Sequence, residues 1–332
     1  MFRARILTIL YPLVSLAACS SSSTTPPAAT STGTPHHDAG ATVADSGHVA
    51  PYPAPEPDTC ITDVTPGVQQ PTCEGLKFNL SVPESCLTAP CGLITDVHGY
   101  VMTGDLQDAH SNMQKLGGAK GYIVLQPWAP GMGLTASWSA KNDDAVFALM
   151  QHVINVWHVD PKRVHFDGYS MGGWMTWRFV CKHSDILASA APLAAGAQAG
   201  GGSCAFAGAE MPARQIPILY THGRQDGLVK FTTAIPQRDA VLAAWYPGAQ
   251  PKIVQQASDY EWDRYTSADG TVFEFLQHDW AVVTPIVFGG SDIKGHCFPG
   301  VGGTGKIFGC GVDTAVKWPE TVVQFFVDHP MK

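Results

Sequence analysis

The feature that most constrains this chain is the segment 164–173, an apolar run that ends in the motif GYSMGG with the serine at position 170. A strand that turns sharply into a helix needs glycine on both sides of such a serine, because side chains there would collide with the turn. Since glycine makes up 34 of the 332 residues, the motif alone is a weak signal. The apolar strand before it and the helical spacing of apolar residues over 174–182 strengthen it. The pattern predicts an exposed nucleophile, Ser170, at a strand-to-helix elbow.

A nucleophilic serine needs a histidine that accepts its proton and an acid that orients the histidine. Asp226 follows the apolar run 216–220, at the carboxyl end of a predicted strand, where α/β folds gather their chemistry. A solvated turn aspartate is the alternative interpretation of Asp226. His296 lies among glycines and a proline after the last predicted strand, and we expect it to be the general base. His278 also follows Asp226, but it ends an alternating strand, so we expect it to affect mainly stability or binding.

Two backbone N–H groups must stabilise the negative charge that develops during acyl transfer. The residue after the nucleophile, Met171, supplies one in this type of elbow, and the first strand-to-helix loop supplies the other. That loop reads His-Gly-Tyr, so we expect Tyr100 to be the second donor. We expect His98 and His222 to brace their loops by hydrogen bonding, although either could be mistaken for a base.

Apolar runs and amphipathic helices alternate along the chain, which predicts an α/β fold with a mostly parallel central sheet and helices on both faces. Chain order Ser, Asp, His is that of the α/β-hydrolase fold. Strands are predicted at 76–82, 93–97, 121–125, 164–169, 216–220, 272–276 and 285–288, with a further apolar region at 186–194. Helices are predicted at 143–159, 174–182, 239–245 and 319–327.

The first residues have the layout of a signal peptide, over 1–18, with an apolar stretch too short to span a bilayer. The segment that ends at Cys19 resembles the lipobox of bacterial lipoproteins, in which the cysteine is lipidated. An ordinary signal peptide that contains a cysteine is the alternative. Residues 19–58 are rich in Ser, Thr, Pro and Ala and predict a flexible tether, and 59–332 are left for one catalytic domain. We therefore expect an exported protein anchored in a bacterial envelope, with the outer membrane favoured by the serine after the cysteine.

The eight cysteines after Cys19 are an even number in a chain that is expected to be exported, which favours disulfides. They permit 105 pairings. Because short loops close most easily, we expect four local couples, namely Cys60–Cys73, Cys86–Cys91, Cys181–Cys204 and Cys297–Cys310. The sequence contains no compact Cys/His cluster of the kind that would predict a metal site. The formal net charge is −8 without a Lys/Arg block, so no nucleic-acid partner is expected.

From about residue 91 to 327 the chain resembles the secreted α/β-hydrolases that include feruloyl esterases, acetyl xylan esterases of carbohydrate esterase family one and polyhydroxybutyrate depolymerases. The matching phrases are VHG at 97–99, DPKRV before the GYSMGG motif, HG at 222–223 with Asp226, and GHCFPG at 295–300. The resemblance implies Ser170 as nucleophile, Asp226 as acid, His296 as base, and ester hydrolysis without a cofactor.

The chain departs from that group in two places. Many relatives have a cysteine at the position of Tyr100 and a tryptophan at the position of Phe298. The pair of Tyr100 and Met171 resembles cutinase-like polyester hydrolases instead, in which an aromatic residue donates its N–H and packs on an aromatic acyl group. The acyl specificity is therefore left open between polysaccharide esters and polyesters.

Three tryptophans, Trp128, Trp138 and Trp174, are candidates for lining an acyl or sugar cleft, against the alternative that they belong to the core. We expect an exported serine carboxylic-ester hydrolase that acts on feruloyl or acetyl polysaccharide esters or on a polyhydroxyalkanoate-type polyester. A serine peptidase of the same fold is an alternative, although no propeller-like repeats precede the domain. A non-catalytic binding protein tethered to the surface is the remaining alternative, which the filled triad positions disfavour.

Overall fold

The computed structural model of the protein describes residues 52–200, 202–283, 287–288 and 290–332. The predicted signal peptide, Cys19 and most of the predicted tether lie outside the described residues. Within the described ranges, no helix combines the length and the apolar composition that a membrane crossing requires.

The main sheet has eleven strands, in the order β1-β3-β5-β4-β6-β7-β8-β11-β10-β9, with β2 paired to β3. The strands in chain order are β1 (Gly67–Gln69), β2 (Thr72–Cys73), β3 (Leu76–Val82), β4 (Gly92–Val97), β5 (Tyr122–Pro127), β6 (Val164–Tyr169), β7 (Ser189–Leu193), β8 (Ile218–Gly223), β9 (Lys252–Ala257), β10 (Tyr260–Thr266) and β11 (Val272–His278). A separate two-stranded sheet pairs β12 (Val287–Phe288) with β13 (Ser291–Asp292).

The helices are α1 (Gly104–Ser111), α2 (Met113–Gly118), α3 (Asp143–Val156), α4 (Met171–His183), α5 (Phe231–Trp245) and α6 (Trp318–Asp328). Two apolar clusters show that both faces of the sheet are covered. One cluster contains the buried faces of α3, α4 and α5, and the other contains those of α2 and α6. The predicted fold class, a mostly parallel sheet between two helical layers, is confirmed.

The central strands β4 to β8 and β11 run parallel to one another, and antiparallel strands extend the sheet at both edges. Every residue of β4, β5, β6, β7 and β8 is buried. A strand that is covered on both faces has no polar side to alternate with, so it reads as a continuous apolar run. Because these strands are parallel, the carboxyl ends of β4, β6 and β8 lie side by side along one end of the strands, which we call the catalytic edge.

Several predicted boundaries differ from the structure. Helix α3 ends at Val156 and not at 159, because the chain leaves the helix with Trp157 as its C-cap and His158 in the left-handed region. Helix α5 begins at Phe231, eight residues before the predicted start, and continues through Pro236. A proline near the start of a helix removes only one backbone hydrogen bond, which the burial of one helix face offsets.

The hairpin of β9 and β10 was not predicted. Strand β9 is exposed along its whole length, apart from one half-buried residue, so it lacks the apolar signal of a core strand. The predicted strand at 285–288 is described only at Val287–Phe288, and among the described residues this β12 pairs with β13 and not with the main sheet. The last strand of the main sheet in the chain is β11, and His296 follows it.

The last part of the predicted tether, residues 52–58, is packed on the domain. The Tyr52 hydroxyl donates to the carbonyl oxygens of Trp157 and His158, at 3.2 and 2.7 Å. The backbone N–H of Glu56 donates to the carbonyl oxygen of Val156 at 2.9 Å. The folded domain therefore includes residue 52, and the predicted boundary at 58 is too late.

The structure joins the cysteines in the four local couples that the chain order predicts. The Cα atoms of each couple are 5.3 to 5.5 Å apart, within the usual range for a disulfide. The bridges are Cys60–Cys73, Cys86–Cys91, Cys181–Cys204 and Cys297–Cys310. The last of them fixes the loop that contains His296.

Candidate active site

Ser170 lies on a sharp turn between β6 and α4. Its backbone has φ 56° and ψ −113°, a conformation that costs energy for a residue with a side chain. A Cβ on Gly168 would come within 2.6 Å of the backbone of Gly172, and one on Gly172 would overlap the carbonyl oxygen of Val97. The two glycines are thus required by backbone packing. They let the helix start directly against the strands, which holds Ser170 at the catalytic edge.

Asp226 and His296 form a hydrogen-bonded pair at the same edge. His296 Nδ1 lies 2.6 Å from Asp226 Oδ2. The other oxygen, Asp226 Oδ1, accepts from the backbone N–H groups of Leu228 and Val229, at 2.9 and 2.8 Å. Three donors therefore surround a carboxylate that has no exposed side-chain surface. These hydrogen bonds fix the position of the carboxylate, which in turn holds the imidazole in one tautomer.

Ser170 and His296 line one small cavity, together with Tyr100 and Leu228. The cavity measures about 20 Å³, which is room for about one water molecule. The structure thus brings Ser170, Asp226 and His296 together from three separate parts of the chain, in the order β6, β8 and the loop after β11. Serine, histidine and aspartate are the residue types that acyl transfer uses as nucleophile, base and orienting acid.

The loop with His296 is held by contacts that the sequence did not reveal. The Tyr169 hydroxyl donates to the backbone carbonyl of His296 at 2.7 Å, and the two ring centroids are 4.9 Å apart. Burial raises the pKa of Tyr169 well above its usual range, so the phenol remains a donor. The aromatic ring of Tyr169 also packs on Phe298, at 4.4 Å between centroids. Tyr169 precedes the nucleophile directly, and that position in the motif was the only available signal.

Met171 and Tyr100 flank Ser170 from two elements. Met171 is the first residue of α4, so its N–H lies at a helix start, where it has no partner one turn earlier. Gly99 is close to the nucleophile, because a Cβ on it would lie 3.2 Å from the Cβ of Ser170. The Tyr100 hydroxyl donates to the carbonyl oxygen of Leu134 at 2.7 Å. The loop after β4 therefore passes beside Ser170, as an oxyanion hole requires.

His98 braces the loop after β4. The N–H of Ala129 donates to His98 Nε2 at 2.9 Å, so Nδ1 carries the proton, which it donates to the carbonyl oxygen of Gly99 at 2.6 Å. Burial lowers the pKa of His98 to about 4, and the ring stays neutral. His222 has a similar role: its Nε2 lies 2.8 Å from the Val229 carbonyl oxygen, and burial lowers its pKa. Neither ring has a nitrogen left for Ser170.

His278 is the last residue of β11 and is fully buried. Among the described residues, its ring nitrogens bond to no other side chain, and the backbone of Trp280 lies beside the ring. Its ring stacks on Trp280, with centroids 5.0 Å apart. Burial lowers the pKa of His278 to about 3. A histidine in this setting packs as a neutral ring behind the site and does not line the cavity of Ser170.

Two of the three candidate tryptophans lie beside Met171. Trp138 and Trp174 line a groove of about 240 Å³ that also contains Met171. Their indole N–H groups donate to the carbonyl oxygens of His98 and Gly196, at 3.0 and 2.9 Å, which fixes both rings. Trp128 lies elsewhere: its N–H donates to Asn79 Oδ1 and the Lys77 amine sits over its ring. The structure therefore separates Trp128 from the other two.

The sheet order, the elbow at the end of β6 and the helices on both faces define an α/β-hydrolase fold. Among solved structures, an acetyl xylan esterase from Aspergillus awamori superimposes with a TM-score of 0.52 at 18% sequence identity. The match covers 64% of this chain and 92% of that one. At this identity the likeness concerns the fold alone.

No family model matches the chain. A bifunctional acetylxylan esterase/xylanase from Neocallimastix patriciarum is 25% identical over 140 residues, which are 42% of this chain and 20% of that protein. Feruloyl esterase B from Piromyces equi is 40% identical over 82 residues, 24% of this chain and 14% of that protein. The matched segments thus span a fifth or less of these relatives, and both relatives are named as carboxylic ester hydrolases.

Proposed function

We propose that this protein is an exported serine carboxylic-ester hydrolase that acts on acetyl or feruloyl esters of plant cell-wall polysaccharides. The observation that carries the proposal is the 2.6 Å hydrogen bond between His296 and Asp226, with Ser170 on a strained elbow in the same cavity. The names of the matched relatives support ester hydrolysis and favour polysaccharide esters.

The proposed reaction proceeds in two halves. Ser170 Oγ attacks the ester carbonyl carbon while His296 takes the hydroxyl proton, and the N–H groups of Tyr100 and Met171 bind the negatively charged oxygen. The bond to the alcohol oxygen then breaks, and His296 gives its proton to the departing alcohol. Water attacks the acyl-serine in the second half, with His296 again as base, and releases the carboxylic acid and free Ser170.

The small cavity at Ser170 and the larger groove beside Met171 indicate where the acyl and alcohol parts of an ester would bind. The cavity of about 20 Å³ is too small for a feruloyl ring and suits the methyl group of an acetyl ester. The larger groove has one partly exposed indole, Trp174, on which a sugar ring or an aromatic acyl group can stack, while Trp138 is 3% exposed and belongs to the core beneath it. We therefore assign the groove to the bulkier part of the ester. Trp174→Ala should raise KM for a polymeric substrate more than it lowers kcat.

A polyester is the second candidate substrate, because of the loop that contacts Tyr100. On that loop Met132 and Leu134 expose 86% and 75% of their surface, next to a catalytic cavity. Exposed apolar side chains beside an active site suit an apolar solid surface. Hydrolysis of polyhydroxybutyrate that exceeds hydrolysis of acetylated xylan would establish this candidate over the first.

Export and lipidation remain proposals that rest on the sequence around Cys19. The four disulfides support an oxidising compartment, since such bonds are rare in the cytosol. Intact mass of the protein from its native host tests the anchor. A mature chain that begins at Cys19 with a diacylglycerol and an acyl chain is the expected result, and an unmodified Cys19 contradicts it.

The decisive experiment compares the wild type with Ser170→Ala on nitrophenyl acetate, methyl ferulate, acetylated xylan, polyhydroxybutyrate and a small peptide amide. We expect Ser170→Ala to lose ester hydrolysis and keep its fold, because the hydroxyl supplies the covalent step. A fluorophosphonate should phosphonylate Ser170 Oγ with loss of HF, so the wild type gains the mass of the phosphonyl group and Ser170→Ala does not. Ser267→Ala, on the loop between β10 and β11, is the matched control and should behave as wild type. Activity of Ser170→Ala within a few-fold of wild type contradicts the proposal, and cleavage of the amide alone supports a peptidase.

A further inference from the structure

A second groove lies on the flank of the sheet, between α6 and the antiparallel strands β9 and β10. It measures about 360 Å³ and shares no lining residue with the cavity of Ser170. Its lining comes mainly from four elements, β9, β10, β11 and α6, and includes Gln255, Trp262, Arg264, Glu274, Gln324 and Asp328. Nothing in the proposed reaction uses these residues.

Trp262 and Arg264 are held in place from behind by one buried carboxylate. Glu274 is 1% exposed, in the neighbouring strand β11. Its Oε2 accepts the indole N–H of Trp262 at 2.8 Å, and its Oε1 accepts the Nε–H of Arg264 at 2.7 Å. The side chain of Arg264 is still 42% exposed. The carboxylate thus fixes the plane of an aromatic ring and of a guanidinium that both face the groove.

Stabilisation of the sheet alone does not explain why a carboxylate is buried at this position. The ion pair of a buried carboxylate with a partly exposed guanidinium contributes little net stability, because the cost of removing water from the carboxylate is close to the gain from the attraction. An aliphatic residue at Glu274 would fill the same interior without that cost. A buried group that orients two partly exposed side chains is instead the usual support of a binding site, where the contacting residues must be held in fixed positions.

The chemistry of the groove selects a neutral sugar chain. Trp262 is partly buried against the apolar cluster, and the rest of its ring lines the groove as an apolar surface for the C–H face of a pyranose. Gln255 and Gln324 add amides for the hydroxyl groups, with Gln324 Nε2 oriented by a 2.8 Å hydrogen bond to Asp328. Arg264 is already neutralised by Glu274, and Glu320 adds negative charge at the rim. With a net charge of −8 on the chain, an acidic polysaccharide is repelled.

We propose that this groove is a second binding site for a neutral pyranose chain, which holds the polysaccharide while the catalytic edge acts on its ester groups. The inference rests on the proposed function for its substrate class. The site contributes to affinity for polymer and not to the chemical step, because two sites on one chain raise the effective concentration of the substrate.

The test measures binding of the full chain to xylohexaose, cellohexaose and polygalacturonate by isothermal titration, in parallel with esterase kinetics. The variant Trp262→Ala removes the stacking surface, and Trp262→Phe retains an aromatic ring without the indole N–H. Ile253→Ala, an exposed residue on β9 outside the groove, is the matched control. Each protein is first compared with wild type by thermal unfolding and by its kcat/KM on nitrophenyl acetate.

We expect the wild type to bind a neutral hexaose and Trp262→Ala to bind it at least about tenfold more weakly. Trp262→Phe should remain within a few-fold of wild type, and Ile253→Ala should equal it. Fluorophosphonate on Ser170 should leave this binding unchanged, and kcat/KM on nitrophenyl acetate should be the same in all four proteins. On acetylated xylan, Trp262→Ala should raise KM and leave kcat unchanged.

Three results overturn the inference. They are equal hexaose binding by Trp262→Ala and wild type, loss of binding after Ser170 is blocked, and tighter binding of polygalacturonate than of either neutral hexaose. If Trp262→Ala is unstable, Trp262→Phe is compared with Gln324→Ala in its place. Unchanged hexaose binding in Gln324→Ala together with strongly weakened binding in Trp262→Phe would then contradict the proposal. Failure of ester hydrolysis would leave the binding measurement intact, so the two proposals fail separately.

Discussion

Two regions of this molecule contain buried aspartates, and the hydrogen-bond donors around these aspartates differ between the regions. At the catalytic edge, Asp226 follows a strand and accepts three hydrogen bonds, two of them from backbone N–H groups. In the middle of the sheet, Asp96 of β4 and Asp167 of β6 face one another in register. Asp96 accepts only from side chains, and Asp167 has no partner for either oxygen among the described residues.

The difference comes from the backbone. Inside a parallel sheet the N–H groups are already used by the strand ladder, so a carboxyl group there must find side-chain donors or lose its charge. Asp96 finds them in Gln107, Ser111 and Gln126, and burial still raises its pKa to about 6. Burial raises the pKa of Asp167 well above its usual range, and the neighbouring Asp96 adds to the effect. An acid at a strand end therefore has backbone donors available, whereas burial raises the pKa of the two acids within the strands.

The largest effect is expected at His296, which is bonded to Asp226 at the strand ends, and not at His278, which lies within β11. His296→Ala should lower kcat by about 10⁵- to 10⁶-fold, as removal of a triad base does in other serine enzymes. His278→Ala should retain kcat within a few-fold and lower the unfolding temperature, since it removes a packed ring from the end of a strand. Steady-state kinetics and thermal unfolding measure both. The reverse result would mean that the base lies in β11 and that the loop after it is structural.

A second, smaller effect is expected from the acids themselves. Asp226→Asn should lower kcat by about 10⁴-fold while the fold is kept, because an amide favours the wrong tautomer of His296. Asp167→Asn is the matched substitution within the sheet, and it should keep full activity. If both variants lose activity to a similar degree, then position relative to the strand end does not decide which acid is catalytic.

The bridge Cys297–Cys310 should matter by about one to two orders of magnitude in kcat. Replacing both cysteines by serine loosens the loop that contains His296, which displaces the base and leaves the groove of Trp138 and Trp174 unchanged. We expect KM to remain within a few-fold of wild type. The double replacement at Cys86 and Cys91, outside the catalytic loop, is the control for general loss of stability. A change in KM alone contradicts this account.

The smallest effect is a pH-dependent gain in stability for Asp167→Asn. In the unfolded chain Asp167 ionises above about pH 4, whereas in the fold it stays protonated to a much higher pH. The folded state then binds more protons than the unfolded state, so wild-type stability falls as pH rises above that value. Asp167→Asn removes this loss. We expect its gain over wild type to grow from none near pH 4 to about 1–3 kcal/mol at pH 8.

Urea unfolding of wild type and Asp167→Asn at pH 4.5, 6 and 8 measures the gain. An equal loss of stability in the variant at every pH would show that Asp167 has a partner when folded. The substitution Asp96→Asn provides a contrast, because it removes a carboxyl group that accepts from three side chains, and it should destabilise the protein at pH 8.

The sequence predicted features that depend on local contacts and missed features that depend on which distant segments become neighbours. The core strands could be predicted because each is buried throughout, and the elbow could be predicted because its glycines are required by local backbone contacts. Tyr169 supports a residue 127 positions away in the chain, and no local pattern reports a contact of that kind. The exposed hairpin of β9 and β10 and the orphaned Asp167 depend likewise on which strands become neighbours.

The described chain begins and ends on the side of the sheet opposite the catalytic edge. Tyr52 is attached where α3 ends, just before the chain enters β6, and the N–H of Met331 donates to the Lys162 carbonyl oxygen at 2.7 Å in the same region. A purification tag, an engineered linker or a solid support joined at either of these places is therefore remote from Ser170. Immobilised in this way, the protein would present its reactive face outward, toward a substrate too large to diffuse.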